Sequence, residues 1–502
     1  MKVLLGPAAR GHGRPRRPAI AVLVAALAFS AVGAAAPTGP SAAPPAGPDN
    51  LDRLQSAVLL GRPNGGKTHF GRNMSWGAGA QRQTECHDVR PICVHWTPSG
   101  QHAPPDVDDD NNDVPDQVDR TLSAVAASWE TIVGKLGFRR PLSDEHSPVN
   151  GGDDRFDVYL ADTGSIGLGG YTSSDDPHLA DGAKYRYRDV SAFVVLDNDF
   201  RAGQFGTGTA FDNLRVTAAH EFFHAVQLAY DFREDIWMKE GTAVWAEDEV
   251  FDSINLNRAF LQHSSLAAPA TPLDFGRQSH QYGSWLFFRY LSERFGPKFI
   301  ARVWRLADDS PDQVSGKELR TYSMAAVKRA LRSQKRDFGN VFADFIRVNL
   351  RPARFYEEGS NYPVPFSPKV PLNAKGDDTK WLGIVLDHLS AAYVTFYPGP
   401  NAPPGRRLSV RIDGPPRGSG TEARVVVRLS DGKSKPHSVK LNKRGNGEIR
   451  VNFGRAEVTG VDVALINASA RYHGCFKSDT SLSCRGRATD DDRHYNVRAR
   501  VL

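Results

Sequence analysis

The residues best suited to chemistry lie in one short run. His220, Glu221 and His224 fall within Val216–Gln227, VTAAHEFFHAVQ. Two histidines four apart on a helix differ by about 40° in azimuth and one turn in height. Their imidazoles leave one face at a separation that a single Zn²⁺ spans, and the carboxylate beside the first histidine reaches a water at that ion. The metal lowers the pKa of such a water and Glu221 takes its proton, which is the chemistry of metal-assisted hydrolysis. The opposing reading is two core histidines satisfied by ordinary hydrogen bonds. The flanks weigh against it. Val216, Ala218, Ala219, Ala225, Val226 and Leu228 make the helix apolar on most sides. A buried helix with two histidines and a glutamate needs polar partners, and a metal supplies them.

Three protein ligands make a catalytic zinc site. Downstream stands Trp237–Glu247, WMKEGTAVWAE. This block resembles the gluzincin clan, in which HExxH is followed by a second helix that carries a glutamate ligand. The resemblance implies Glu240 as third ligand and Glu247 as the acceptor that orients a ligand histidine. Only 15 residues separate His224 from Glu240, so Asp231, Asp235 and Glu247 stay as alternatives for the third ligand. The clan adds a Tyr or His donor to the developing oxyanion from a later helix, which implies Tyr282 or His280 in Ser279–Gly283. The metzincin pattern is absent, because Gln227 and Tyr230 stand at its glycine and third-histidine positions. More narrowly, HEFFHAVQ, EGTAVWAED, CVHW, an Asp-rich loop and QYGSWLFFRYLSERFG together resemble a family of secreted bacterial metalloproteases, over Cys86 to Leu350.

The Asp-rich loop places oxygen ligands Asp108, Asp110, Asn112, Asp116 and Asp119 at positions 1, 3, 5, 9 and 12, with the Val114 carbonyl at position 7. It resembles the EF-hand-like calcium loops of extracellular bacterial proteins, which implies Ca²⁺ as a second ion. Asp113 replaces the usual glycine at position 6 and Asp119 the usual glutamate at position 12. The competing reading is a solvated acidic loop. Two other motifs are set aside. Gly61–Thr68 fits the phosphate-loop pattern but lacks the following helix. Asp162-Thr163-Gly164-Ser165 copies an aspartic-peptidase motif whose required second copy is missing.

The surrounding elements must hold these groups. Ile92–Trp96, Phe156–Leu160 and Ser191–Leu196 read as strands, and Val118–Leu136, Leu214–Tyr230, Ile236–Phe251 and His280–Arg294 as helices. Short alternating runs follow at Tyr393–Tyr397, Leu408–Ile412, Ala423–Leu429, Glu448–Phe453 and Val461–Ile466. The expected fold class is α+β, a gluzincin-like domain followed by a C-terminal β-sandwich. The expected organisation is a signal peptide over 1–36, a flexible leader or propeptide over 37–82, the zinc metallopeptidase domain over 83–355, a linker over 356–380 and the sandwich over 381–502.

The signal expectation rests on basic residues ahead of the apolar run Ala19–Ala36, which ends in small residues; the competing reading is a membrane anchor. Export favours disulfides, and the cysteines form two close pairs, Cys86 with Cys93 and Cys475 with Cys484. The net charge is +6 over 502 residues. Five basic residues precede Ala36 and the remainder is nearly neutral, so nucleic acid is not an expected partner. These readings imply a secreted zinc peptidase acting on protein or peptide, without stable membrane insertion once the signal is removed. Two alternatives are a non-catalytic secreted zinc protein whose β-domain binds a partner, and a zinc hydrolase of cell-wall peptides.

Overall fold

The computed structural model describes residues 62–64, 74–77, 79–147, 149–179, 188–308, 321–402 and 404–502. The expected signal peptide, most of the leader and most of Gly61–Thr68 lie outside them. The chain is mixed α/β, with several sheets and a β-rich C-terminal region.

Five strands, β1 (Gln83–Cys86), β2 (Ile92–Trp96), β3 (Phe156–Ala161), β4 (Gly170–Ser173) and β5 (Phe193–Asp197), form a sheet in the order β1-β2-β3-β5-β4. β2, β3 and β5 run parallel, and the two edge strands run antiparallel to their neighbours. The near-continuous apolar runs of the central strands follow from burial on both faces. Phe156, Val158 and Leu160 face the helical side. Tyr159 and Ala161 face a smaller core with Tyr171, Phe193, Val195 and Met74.

The described residues hold eight α-helices, the first between β2 and β3 and the others after β5: α1 (Asp116–Trp129), α2 (Ala210–Leu228), α3 (Ile236–Val250), α4 (His280–Gly283), α5 (Trp285–Phe295), α6 (Lys298–Ala307), α7 (Met324–Ser333) and α8 (Phe338–Asn349). The helix expected over Val118–Leu136 ends in a π-helical turn, Glu130–Lys135. The helix expected over His280–Arg294 is interrupted at Ser284, whose hydroxyl lies 2.9 and 3.1 Å from the Leu273 and His280 carbonyls.

Parts of the expected leader make tertiary contacts. Arg62 is buried, and its guanidinium meets Asp144 at 2.6 Å, Asp175 at 2.9 Å, and Asp157. Trp76 donates to the Leu160 carbonyl at 2.9 Å.

The remaining strands are β6 (Lys369–Leu372), β7 (Leu382–Leu386), β8 (Ser390–Pro398), β9 (Arg407–Asp413), β10 (Thr421–Leu429), β11 (Ser434–Ser438), β12 (Gly447–Asn452), β13 (Val458–Asn467), β14 (Tyr472–His473), β15 (Arg487–Ala488) and β16 (Arg493–Val501). β6 lies in the expected linker and pairs in parallel with β8. Sheets β11-β10-β13-β8-β6 and β12-β9-β16-β7 enclose a second core, and β14 pairs with β15 apart from them. Ala391, Tyr393, Val426 and Ala464 belong instead to the first core, with α8. One sheet is therefore covered on both faces, and the C-terminal region is continuous with the helices. Both expected disulfides are present, with Cα atoms 4.1 Å apart at Cys86–Cys93 and 5.0 Å apart at Cys475–Cys484.

Candidate metal centre

α2 begins at a capping box. Thr209 Oγ1 accepts from the Asp212 amide at 3.1 Å, and the Asp212 carboxylate accepts from the Thr209 amide at 3.3 Å. Reciprocal caps satisfy two of the free donors at a helix start. The helix then runs on buried Leu214, Ala218, Phe222, Ala225 and Val226. α3 crosses it, carrying Glu240 and, two turns on, Glu247.

His220 Nε2 and His224 Nε2 are 3.0 Å apart, and Glu240 Oε2 lies 3.2 Å from the first and 3.4 Å from the second. The opposite ring nitrogens are held. His220 Nδ1 is 2.7 Å from Glu247 Oε1, and His224 Nδ1 is 2.8 Å from Gln227 Oε1. The Gln227 amide nitrogen donates to the Lys239 carbonyl at 2.9 Å and to Thr242 Oγ1 at 3.1 Å. Its oxygen must therefore face His224, which makes His224 Nδ1 the donor. A histidine that donates from Nδ1 offers a bare lone pair at Nε2.

Glu221, Glu240 and Glu247 are all buried around this point. Burial alone would lower the His220 imidazole, but its bonds to Glu240 and Glu247 carry it well above its usual value. Burial would raise Glu240, but the His224 charge and the bonds from both histidines draw it well below the usual carboxylate range. Both directions express a demand for positive charge. Two protonated imidazoles 3.0 Å apart would put like charges in contact. One divalent cation meets the same demand at a single point, with two imidazoles and a carboxylate as ligands. The residues present fit a zinc ion.

Glu221 points toward the sheet edge. Thr172 Oγ1, on β4, lies 2.8 Å from Glu221 Oε2 and 2.7 Å from the Glu221 carbonyl. Gly170 makes this approach possible, since a Cβ there would come within 3.2 Å of Glu221 Cγ and 2.8 Å of Leu196 Cδ2. The Tyr282 ring lies 6.3 Å from the His220 ring and stacks on Phe260 at 4.9 Å. His280 packs against Phe275 at 6.3 Å, and burial pushes it down to about 4. Of the alternatives to Glu240, Asp235 meets Tyr322 and the Cys484 amide, and Asp231 accepts from the Arg233 amide. Glu247 reaches only the outer nitrogen of His220.

Sequence reasoning passed over Gln227 and Thr172. Gln227 was legible only as a departure from the metzincin pattern, although it stands one helical turn beyond His224. Thr172 carried no signal, because its role depends on which strand ends the sheet.

In the acidic loop, Asp108, Asp110 and Asp116 can bring oxygens within 4.8 Å of one another. Asn112 Nδ2 lies 3.4 Å from Asp110 Oδ2 and 3.3 Å from Asp119 Oδ2. Asp113 takes a positive φ of 66°, the conformation that favours glycine at this position. Asp116 already accepts from the Asp109 amide at 3.0 Å and from Arg120 at 2.7 Å.

Residues 80–322 match the model of a family of unknown function, DUF6055. No curated protein matches the chain. Among solved structures, the periplasmic inhibitor of g-type lysozyme from Aeromonas hydrophila is similar at 15% identity, covering 27% of this chain and 96% of its own, with a TM-score of 0.17. A mutant of the Escherichia coli inhibitor of g-type lysozyme shares 12% identity over 27% of this chain and 100% of its own, at 0.15. A GH115 4-O-methyl-α-glucuronidase shares 12% over 58% and 38%, also at 0.15. Scores this low lend neither fold nor activity to this chain.

Proposed function

We propose that this chain is an exported zinc-dependent peptidase of gluzincin type. The reading rests on one observation above all: His220 Nε2, His224 Nε2 and Glu240 Oε2 converge within 3.4 Å while Glu247 and Gln227 hold the outer histidine nitrogens. Zinc, when bound, supplies Lewis acidity toward a carbonyl and acidifies water. Glu221 Oε1, the oxygen not held by Thr172, takes the proton of the attacking water and passes it to the leaving amine as the C–N bond breaks. Tyr282 is the oxyanion donor, because its ring flanks His220.

A peptide substrate is favoured by the neighbouring edge strand. No strand among the described residues pairs with the outer side of β4. An extended peptide added along that side would lie beside Glu221, which Thr172 ties to the same strand. Export is supported by the two disulfides. Among the described residues, no helix is long and apolar enough to cross a membrane. The acidic loop is the proposed calcium site, through Asp108, Asp110, Asn112, the Val114 carbonyl, Asp116 and Asp119.

The test compares wild type, His220→Ala and Glu221→Gln for zinc content and for casein hydrolysis with and without chelator. His220→Ala should lose both metal and activity. Glu221→Gln should keep its zinc and lose about 10²–10⁴ in turnover. Wild-type turnover in Glu221→Gln would sink the mechanism, and a metal-free wild type would sink the site.

A further inference from the structure

Beyond residue 36 the near-neutral charge hides two regions of opposite sign. Residues 83–355 hold 40 acidic against 30 basic side chains, a net −10, whereas residues 381–502 hold 20 basic against 11 acidic, a net +9. Part of that positive charge is arranged on one surface, the outer face of the sheet formed by β12, β9, β16 and β7.

Alternation puts Leu408, Val410 and Ile412 of β9 in the core and Arg407 and Arg411 outside, with Ser409 on the arginines' side of the strand but buried. In the same way β16 presents Arg498 and Arg500, and β12 presents Glu448 and Arg450. The register makes this arrangement costly. Arg411 stands directly opposite Arg498, and Ser409 stands between Arg450 and Arg500. Like charges directly opposite on a sheet are destabilising.

The protein compensates only part of this charge. Glu448 accepts from Arg411 at 3.1 Å and from Arg450 at 2.8 Å, and Asp378 accepts from Arg498 at 2.8 Å. Among the described residues Arg407 and Arg500 form no direct ion pair, although Asp378 stands opposite Arg500 in an isolated β-bridge. Arg411, Arg450, Arg498 and Arg500, together with Asp378, Glu448, Ser409 and Leu502, bound a pocket of about 80 Å³. Beside it, one residue ahead of β7, Trp381 is 44% exposed, and alternation with Gly383 and exposed Val385 carries it to this same face.

We propose that this face binds an anionic polysaccharide, with Arg411, Arg450, Arg498 and Arg500 taking its carboxylate or phosphate groups and Trp381 stacking on a sugar ring. Arginine forks match both anions bidentately. Single-stranded nucleic acid is the weaker fit. Its sites stack successive bases on several aromatics, and this face offers one. The proposal does not depend on the metal centre.

The test is affinity electrophoresis of the full chain in gels containing polygalacturonate, phosphomannan or neutral dextran, with single-stranded oligothymidylate as competitor. One or both anionic polymers should retard the protein, dextran should not, and their order tells carboxylate from phosphate. The pair Arg411→Ser with Arg498→Ser, and Trp381→Ala alone, should each weaken retardation by about tenfold or more. Arg500→Gln, which breaks no internal ion pair, should weaken it too and serves if the double variant fails to fold. Lys433→Gln with Lys435→Gln removes the same charge from the other sheet and should change little. No retardation by either anionic polymer overturns the proposal. Displacement by oligothymidylate at lower concentration than free polymer, or equal loss in the lysine control, does the same.

Discussion

Gln227→Leu is the sharpest probe of how the proposed metal centre is held. Gln227 touches no proposed substrate and offers no atom to the cluster of Nε2 atoms. It fixes His224 through Nδ1 at 2.8 Å and ties α2 to α3 through the Lys239 carbonyl and Thr242. Leucine keeps the volume roughly and removes all three bonds. Thr242 still donates to the Met238 carbonyl and lies 3.3 Å from the Lys239 carbonyl, which α3 itself also uses, so the group left unpaired is the His224 N–H. Such a buried group costs about 1–3 kcal/mol. The metal-free fold should therefore lose about 1–3 kcal/mol, seen as a lower denaturant midpoint. Losing the partner of a ligand histidine lowers metal affinity about 10–100-fold, or about 1.4–2.7 kcal/mol. Zinc affinity, measured by competition with a chromogenic chelator, separates this effect from stability. Glu240→Ala in the same assay should lose more, because it removes a ligand. Wild-type zinc affinity in Gln227→Leu would refute the view that His224 is oriented through this amide.

Other outcomes follow from named contacts. Tyr282→Phe should retain zinc and lose about 10²-fold or more in turnover with little change in KM; unchanged turnover would return Tyr282 to the core. Calcium should raise the melting temperature of wild type, and Asp110→Ala should abolish the shift; a wild type indifferent to calcium would remove that site. His388 sits between Asp274 at 2.9 Å and Asp491 at 2.7 Å, where burial would lower it but the Asp274 charge and both bonds raise it to about 10. Its raised value contributes stability that is complete below about pH 6.5 and fades as pH rises toward 10. Asp274, drawn down to about 2 by the same pair against its burial, loses its contribution as pH falls from about 4 toward 2. Denaturant titrations should show His388→Ala with a flatter alkaline decline than wild type, and parallel curves would refute the assignment.

The residue types and spacing that carry chemistry were legible without coordinates. His220, Glu221 and His224 declare themselves because helix geometry is local: four residues make one turn wherever the helix lies. The disulfide pairs were legible for a similar reason, since each closes a loop shorter than ten residues. The strongest strands, β2, β3, β5, β8, β10 and β13, announce themselves by apolar runs. β4, a short edge strand opening on glycine, carries no such run. β16 alternates cleanly but hides its pattern under arginines.

What the sequence alone determined is the local chemistry of one helix and the presence of a glutamate-bearing helix after it. Only the tertiary structure decided that Glu240 rather than Asp231 or Asp235 meets the histidines, because the crossing of α2 and α3 sets that distance. It also decided that Gln227 and Glu247 hold the outer nitrogens, that Thr172 reaches Glu221, and that the arginines of β9, β12 and β16 share one face. Each of these depends on which elements lie side by side, and residues far apart in the chain acquire a common neighbour only when the cores between them close.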